Sequence, residues 1–201
     1  MKLTLKNKLM LWSGTHNLNW LISFHNYVRE FLKDQLKNLE AAKTKSIENK
    51  LHKDALYDYD RMLHINTLLM MYSYLEERLY HCWKTYVPNV VPLNSGGSLG
   101  RFKNVAKQLG IDLSSTLWQD LKNAEEIRNC LLHANGRISL LRSPQKIKTI
   151  IEIIERKNSG LEIIKDRVVI SSDYLQWFNE TICKLLDSIN KYDAQQSATI
   201  G

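Results

Sequence analysis

A chain of 201 residues with 44% hydrophobic content has the material for one packed domain, and its composition argues against global disorder. Its formal charge of +7, spread along the chain, favours an acidic partner such as RNA or DNA over a membrane. No apolar run approaches membrane-spanning length, and the basic N-terminus MKLTLKNKLMLWSG lacks the continuous core and cleavage site of a signal peptide, so a cytoplasmic location is expected. Cys82, Cys130 and Cys183 form no CxxC and have no histidines or acids at ligand spacing, which argues against zinc and for small buried thiols in a reducing compartment.

Residues 1–14 read as a short helix or an arm. From about Asn17, the positions Leu21, Phe24, Val28, Phe31, Leu32, Gln35 and Leu39 recur mostly at steps of three and four. They predict a long amphipathic helix running to about Lys50, its polar end AAKTKSIENK facing solvent. A second pattern spans about Leu51 to Tyr86, with Ala55, Met62, Ile65, Leu69, Tyr72, Leu75, Leu79 and Cys82 on one side. No Pro or Gly lies between Gly14 and Pro88. Two antiparallel helices are nevertheless expected, because one unbroken helix of that length would be a solvent-exposed rod. Within the second, LLMMYSYLEERLYHCW is apolar around much of its circumference and suits a central bundle helix or a subunit interface.

Pro88 to Gly100, PNVVPLNSGGSLG, reads as a connection; its Gly pair lacks the Lys-Ser/Thr of a phosphate-binding loop. A short helix over Phe102–Leu109 stops at Gly110, and Asp112 or Ser114 caps the next. That helix carries Leu117, Leu121, Ala124, Ile127, Leu131 and Leu132 as a core-facing stripe and ends at Asn135-Gly136, a pair tolerant of positive φ. A turn at Ser143-Pro144, a short helix over Gln145–Glu155, and a hairpin of Leu161–Ile164, a Lys165-Asp166 turn and Val168–Ile170 follow. Ser172 or Asp173 caps a last helix over about Tyr174 to Ile189, with a flexible tail from about residue 191. The expected fold is all-α: a single domain over residues 1–201, a helical bundle with two long antiparallel helices and a small β-hairpin decoration.

The chemistry-bearing stretch is Glu125–Gly136, EEIRNCLLHANG. Asn129 and His133 lie about 40° apart on the helix, one turn from each other. Arg128 and His133 are about 140° apart and about 7.5 Å along the axis, so they act together only if both border one groove. Arginine holds phosphate with a two-pronged fork, histidine moves protons near neutral pH, and asparagine holds a substrate or a histidine tautomer. In RNA the 2′-OH is an internal nucleophile, so cleavage requires no metal. Two such sets facing each other across a two-fold axis would supply two histidines and two arginines to one cleft. Each residue also has a structural reading: His133 as a helix C-terminal cation, Asn135 as a turn residue, Arg128 as the partner of a surface acid. Glu125 and Glu126, about one turn earlier, are candidate supports for Arg128 or His133.

Arg128-Asn129-Cys130-Leu131-Leu132-His133 resembles the motif of the HEPN superfamily (higher eukaryotes and prokaryotes nucleotide-binding domains), an arginine followed after four to six residues by histidine. The polar residue directly after the arginine is typical of its nuclease branches. The resemblance extends to two long helices, one carrying Tyr74-Leu75-Glu76-Glu77, a motif helix ending in HANG, and a terminal helix after DYL, together most of residues 15–190. It implies an all-α fold, a homodimer through the motif helices, and a metal-independent endoribonuclease of the toxin–antitoxin or phage-defence kind, with no cofactor. On that reading Arg128 stabilises phosphate charge, His133 handles the proton or orients the 2′-OH, and Asn129 supports them. The products would be a 2′,3′-cyclic phosphate and a 5′-OH. Other branches bind nucleic acid or protein without catalysis, as partners of an antitoxin or a nucleotidyltransferase.

Overall fold

The computed structural model describes residues 5–41, 47–86, 97–109, 114–156 and 159–199. Six α-helices and one hairpin make up these residues: α1 (Leu5–Ala41), α2 (Ile47–Tyr86), α3 (Gly97–Leu109), α4 (Ser115–Ala134), α5 (Pro144–Ile154), β1 (Leu161–Ile164), β2 (Arg167–Ile170) and α6 (Ser172–Thr199). A single 3-10 turn, Ile138–Leu140, follows α4. The fold is helical with a two-stranded antiparallel hairpin, as expected from the periodicity. Most of the Pro88–Gly100 connection and the alternative cap Asp112 lie outside the described residues.

The first two helices are antiparallel, because their cross-links run in opposite numerical order. Lys53 meets Glu40 at 2.6 Å, Arg29 meets Asp60 at 3.5 Å, and His25 meets Thr67 at 2.9 Å. The first helix stops at Ala41 and not near Lys50. Its buried face takes in only part of the expected stripe: Leu32 is buried and Leu21 packs against the core, but the two phenylalanines do not. Leu18, His25 and Leu32, at steps of seven, point inward, whereas Phe24 and Phe31 are 59% and 56% exposed. At about 100° per residue these two phenylalanines lie about 120° and 140° around the helix from Leu18. α1 therefore carries apolar residues over a wide arc, and packing on α2 buries the side through Leu18, His25 and Leu32 and leaves Phe24 and Phe31 out.

α2 is the central element, packed against α1, α3, α4 and α6. Its Leu68, Met71, Tyr72, Leu75, Leu79 and Cys82 are buried in the main core with Leu121, Ile127, Phe178, Ile182 and Leu185. Each such side chain contributes about 1.5–3 kcal/mol of burial. Met62, expected on the same face, is exposed. The last helix is capped by Ser171, whose Oγ accepts the Tyr174 N–H at 3.3 Å, one residue before the expected cap. It extends past residue 191 to Thr199.

Candidate active site

α4 is held at both ends. At its start, the Ser114 hydroxyl accepts the Leu117 N–H at 3.1 Å, so of the two candidate caps the one within the described residues is used. Leu117, Leu121, Ala124, Ile127 and Leu131 are buried as their spacing predicts. Leu132, expected in the same stripe, is exposed: in the last turn the buried face shifts to Cys130, Leu131 and Ala134, on the side away from Leu132.

At its other end, Asn135 turns left-handed at φ 50° and Gly136 follows at φ +71°. Both donate backbone N–H groups to the Cys130 carbonyl. The hairpin then fixes this terminus. Val168 donates its N–H to the Gly136 carbonyl at 2.8 Å, and Ile138 donates to the Asp166 carbonyl at 2.9 Å. The Asp166 carboxylate accepts the Ser139 N–H at 2.9 Å and the Ser139 hydroxyl, which together hold its carboxyl below the usual range. The two-residue Lys165-Asp166 turn, both residues at positive φ, is the kind that matches strand twist in a hairpin. A decoration in the sequence is thus a brace on the end of the motif helix.

Arg128 is half-buried where α4 meets α2. Its Nη1 donates to Asn129 Oδ1 at 2.9 Å, its Nη2 lies 3.9 Å from Glu76 Oε2, and its guanidinium carbon sits 5.2 Å from the centre of the Tyr72 ring. Three chemically different contacts therefore aim one cation. His133 is exposed and, among the described residues, has no side-chain hydrogen-bond partner. One chain brings Arg128 and Asn129 into contact and leaves His133 a turn farther along. Between them on the surface lies exposed Leu132.

Of the two candidate supporting acids, Glu125 is engaged by Lys122 at 2.6 Å, and Glu126 is half-buried without a charged partner among the described residues. The carboxylate that reaches Arg128 is Glu76 of α2, within the Tyr74-Leu75-Glu76-Glu77 segment. Glu76 also lines a pocket of about 190 Å³ between α2 and α3, with Tyr80, Trp83, Arg101 and Phe102. Basic side chains cover aromatic rings nearby: Lys84 stacks over Trp83 at 4.6 Å, and Lys103 and Lys122 flank Trp118 at 5.0 and 5.8 Å. Cys130, inside the motif, is buried, and burial pushes its thiol up to about 11, so it stays neutral and plays no nucleophilic part.

A second polar cluster was invisible in the sequence because its members come from three helices. His64 is 3% exposed, with Nδ1 2.7 Å from the Asp60 carbonyl and Nε2 3.2 Å from Ser172 Oγ. His25 stands edge-on to it, ring centres 4.8 Å apart. Serine, histidine and aspartate meet here, yet the imidazole is enclosed among α1, α2 and α6 and ties them together. Among the described residues, no group of three or more His, Cys, Asp or Glu side chains is arranged to hold a metal ion, and no helix is long and apolar enough to cross a membrane. Comparison of the chain with protein-family models, with curated proteins and with solved structures finds no match.

Proposed function

We propose that the protein is a metal-independent endoribonuclease, a toxin or phage-defence effector of HEPN type, working as a homodimer whose two motif helices share one cleft. The observation that carries this reading is the guanidinium of Arg128, pinned by Asn129, Glu76 and Tyr72 about a turn before an exposed His133 on the same helix. A fixed cation and an imidazole open to solvent are what phosphodiester cleavage by an internal nucleophile requires. The 2′-oxygen loses its proton to an imidazole and bonds to phosphorus; the bond from phosphorus to the 5′-oxygen breaks; that oxygen takes a proton from a second imidazole. The products are a 2′,3′-cyclic phosphate and a 5′-OH. Arg128 offsets the charge that builds on the non-bridging oxygens. One chain holds one His133, so base and acid come from two copies. The pocket between α2 and α3, with Tyr80, Trp83 and Arg101, supplies ring faces and charge of the kind that hold single-stranded bases.

A second reading is a non-catalytic module that binds an antitoxin or a nucleotidyltransferase. It is favoured by the same contacts seen differently: Arg128 already has partners within its own chain. Incubation of purified protein with labelled RNA in EDTA separates the two. Wild type should cleave, and His133→Ala and Arg128→Ala should each lose at least about 100-fold of the rate. Equal RNA loss in all three samples would mean contamination, and no cleavage by a dimeric wild type would leave the binding module.

A further inference from the structure

Trp20, Phe24, Tyr27 and Phe31 on α1 are 71%, 59%, 76% and 56% exposed. Their spacings of four, three and four residues put all four rings within about 60° of one another around the helix, centred about 130° from the buried Leu18, His25 and Leu32. Single exposed aromatics are ordinary; a line of four along three turns is not. At about 150–250 Å² per ring-bearing side chain, this stripe presents roughly 500 Å². That is more than half of the about 800 Å² that each partner gives to a stable interface, with Ser23, Val28 and Asp34 beside it to supply the remainder.

We infer that this stripe is a second two-fold interface, occupied by the same stripe of another copy of the chain. An isologous contact needs a patch that matches itself after reversal. The four–three–four spacing reads the same in both directions. Antiparallel pairing therefore sets Phe24 of one copy beside Tyr27 of the other, and Trp20 beside Phe31, with no charged residue at any of the four positions. The nearby charges are neutralised within their own helix: Glu30 is bound by Lys33 at 2.6 Å and Asp34 by Lys37 at 3.6 Å. They add no like-charge repulsion to the pairing.

This interface is distinct from a pairing of motif helices. On α2, Thr67 binds His25 of α1 and Glu76 binds Arg128 of α4. Those positions are nine residues apart, about half a turn around the helix. The aromatic stripe thus faces away from α4. A chain with both interfaces assembles beyond a dimer, and one with the stripe alone pairs without bringing two His133 side chains together.

The test is the solution mass of the full-length chain by light scattering at about 50 μM, with circular dichroism on each sample. Phe24→Glu with Tyr27→Glu should halve the mass and keep the helicity, because both side chains are exposed. Phe24→Lys with Tyr27→Glu should retain association, since only antiparallel pairing places each lysine beside a glutamate. Ile164→Glu, at an exposed apolar position on the hairpin, should leave the mass unchanged. A monomeric wild type overturns the inference, including one that binds lipid vesicles instead. An undiminished mass for the Phe24→Glu, Tyr27→Glu variant overturns it too. Should that variant lose helicity, the Trp20→Lys, Phe31→Lys pair decides by the same halving.

Discussion

The Arg128 guanidinium of α4 lies 3.9 Å from the Glu76 carboxylate of α2, with the Tyr72 ring beneath it. The pair is partly solvated, with side chains 25% and 35% exposed, so its worth to the fold is small, about 0–1 kcal/mol. Its worth to orientation is larger, because it limits where the guanidinium fork points. Glu76→Gln should therefore shift the urea midpoint by less than about 1 kcal/mol equivalent while lowering RNA cleavage about 10-fold, less than Arg128→Ala does. A variant as active as wild type would remove Glu76 from the site.

Two glycines with positive φ make a graded pair. At Gly136 an added Cβ would stand 3.3 Å from Leu131 Cδ2, the end of a flexible side chain. At Gly160 it would stand 2.7 Å from the Tyr174 backbone nitrogen and 2.8 Å from Ser171 Oγ, the cap of α6. Gly136→Ala should cost about 1–2 kcal/mol, mostly for the left-handed backbone. Gly160→Ala should cost more, about 2–4 kcal/mol, because backbone must move and a cap is lost. Denaturant unfolding of both variants gives the order directly.

Helix positions and the hairpin could be read from periodicity and turn residues because those signals are local. Lys165-Asp166 between two apolar runs specifies a turn without reference to the rest of the chain. Which face of a helix is buried was not local information. Phe24 and Phe31 repeat at helical spacing as well as Leu18, His25 and Leu32 do, and only the position of α2 decides between them. The same limit applies to the candidate site. Arg128, Asn129 and His133 sit together on one helix and could be named from it. Glu76 sits on another helix, so local sequence points only to Glu125 and Glu126 as supports, and Lys122 takes Glu125. His64 and Ser172 had no sequence relationship that would join them.

Thiol reactivity should follow burial. Cys82 and Cys130 are buried, Cys183 is only partly so, and no disulfide joins them. Burial raises the thiols of Cys130 and Cys183, leaving little thiolate at neutral pH. Iodoacetamide on the native protein should label Cys183 first and slowly, with Cys82 and Cys130 modified only after unfolding. Mass mapping of the labelled peptides checks the order, and early labelling of Cys130 would mean that the motif helix opens in the native state.

Buried His25 should make the fold acid-sensitive in a defined window. Burial, with the adjacent His64 and Arg29, lowers His25 to about 4, while the Asp60 carboxylate opposes the shift. Its Nδ1 is 2.9 Å from Thr67 Oγ1, and Nε2 has no partner among the described residues. Unfolded, a histidine titrates near 6.5. Between those values the unfolded chain binds the extra proton, so stability rises with pH and is lost as pH falls from about 6.5 toward 4. A shift of that size puts at most about 3 kcal/mol at stake. His25→Leu removes the titrating group and should flatten this part of the stability–pH curve, whatever it does to stability at pH 8. If the variant keeps the wild-type slope in urea unfolding between pH 6.5 and 4.5, the acid sensitivity belongs to other groups.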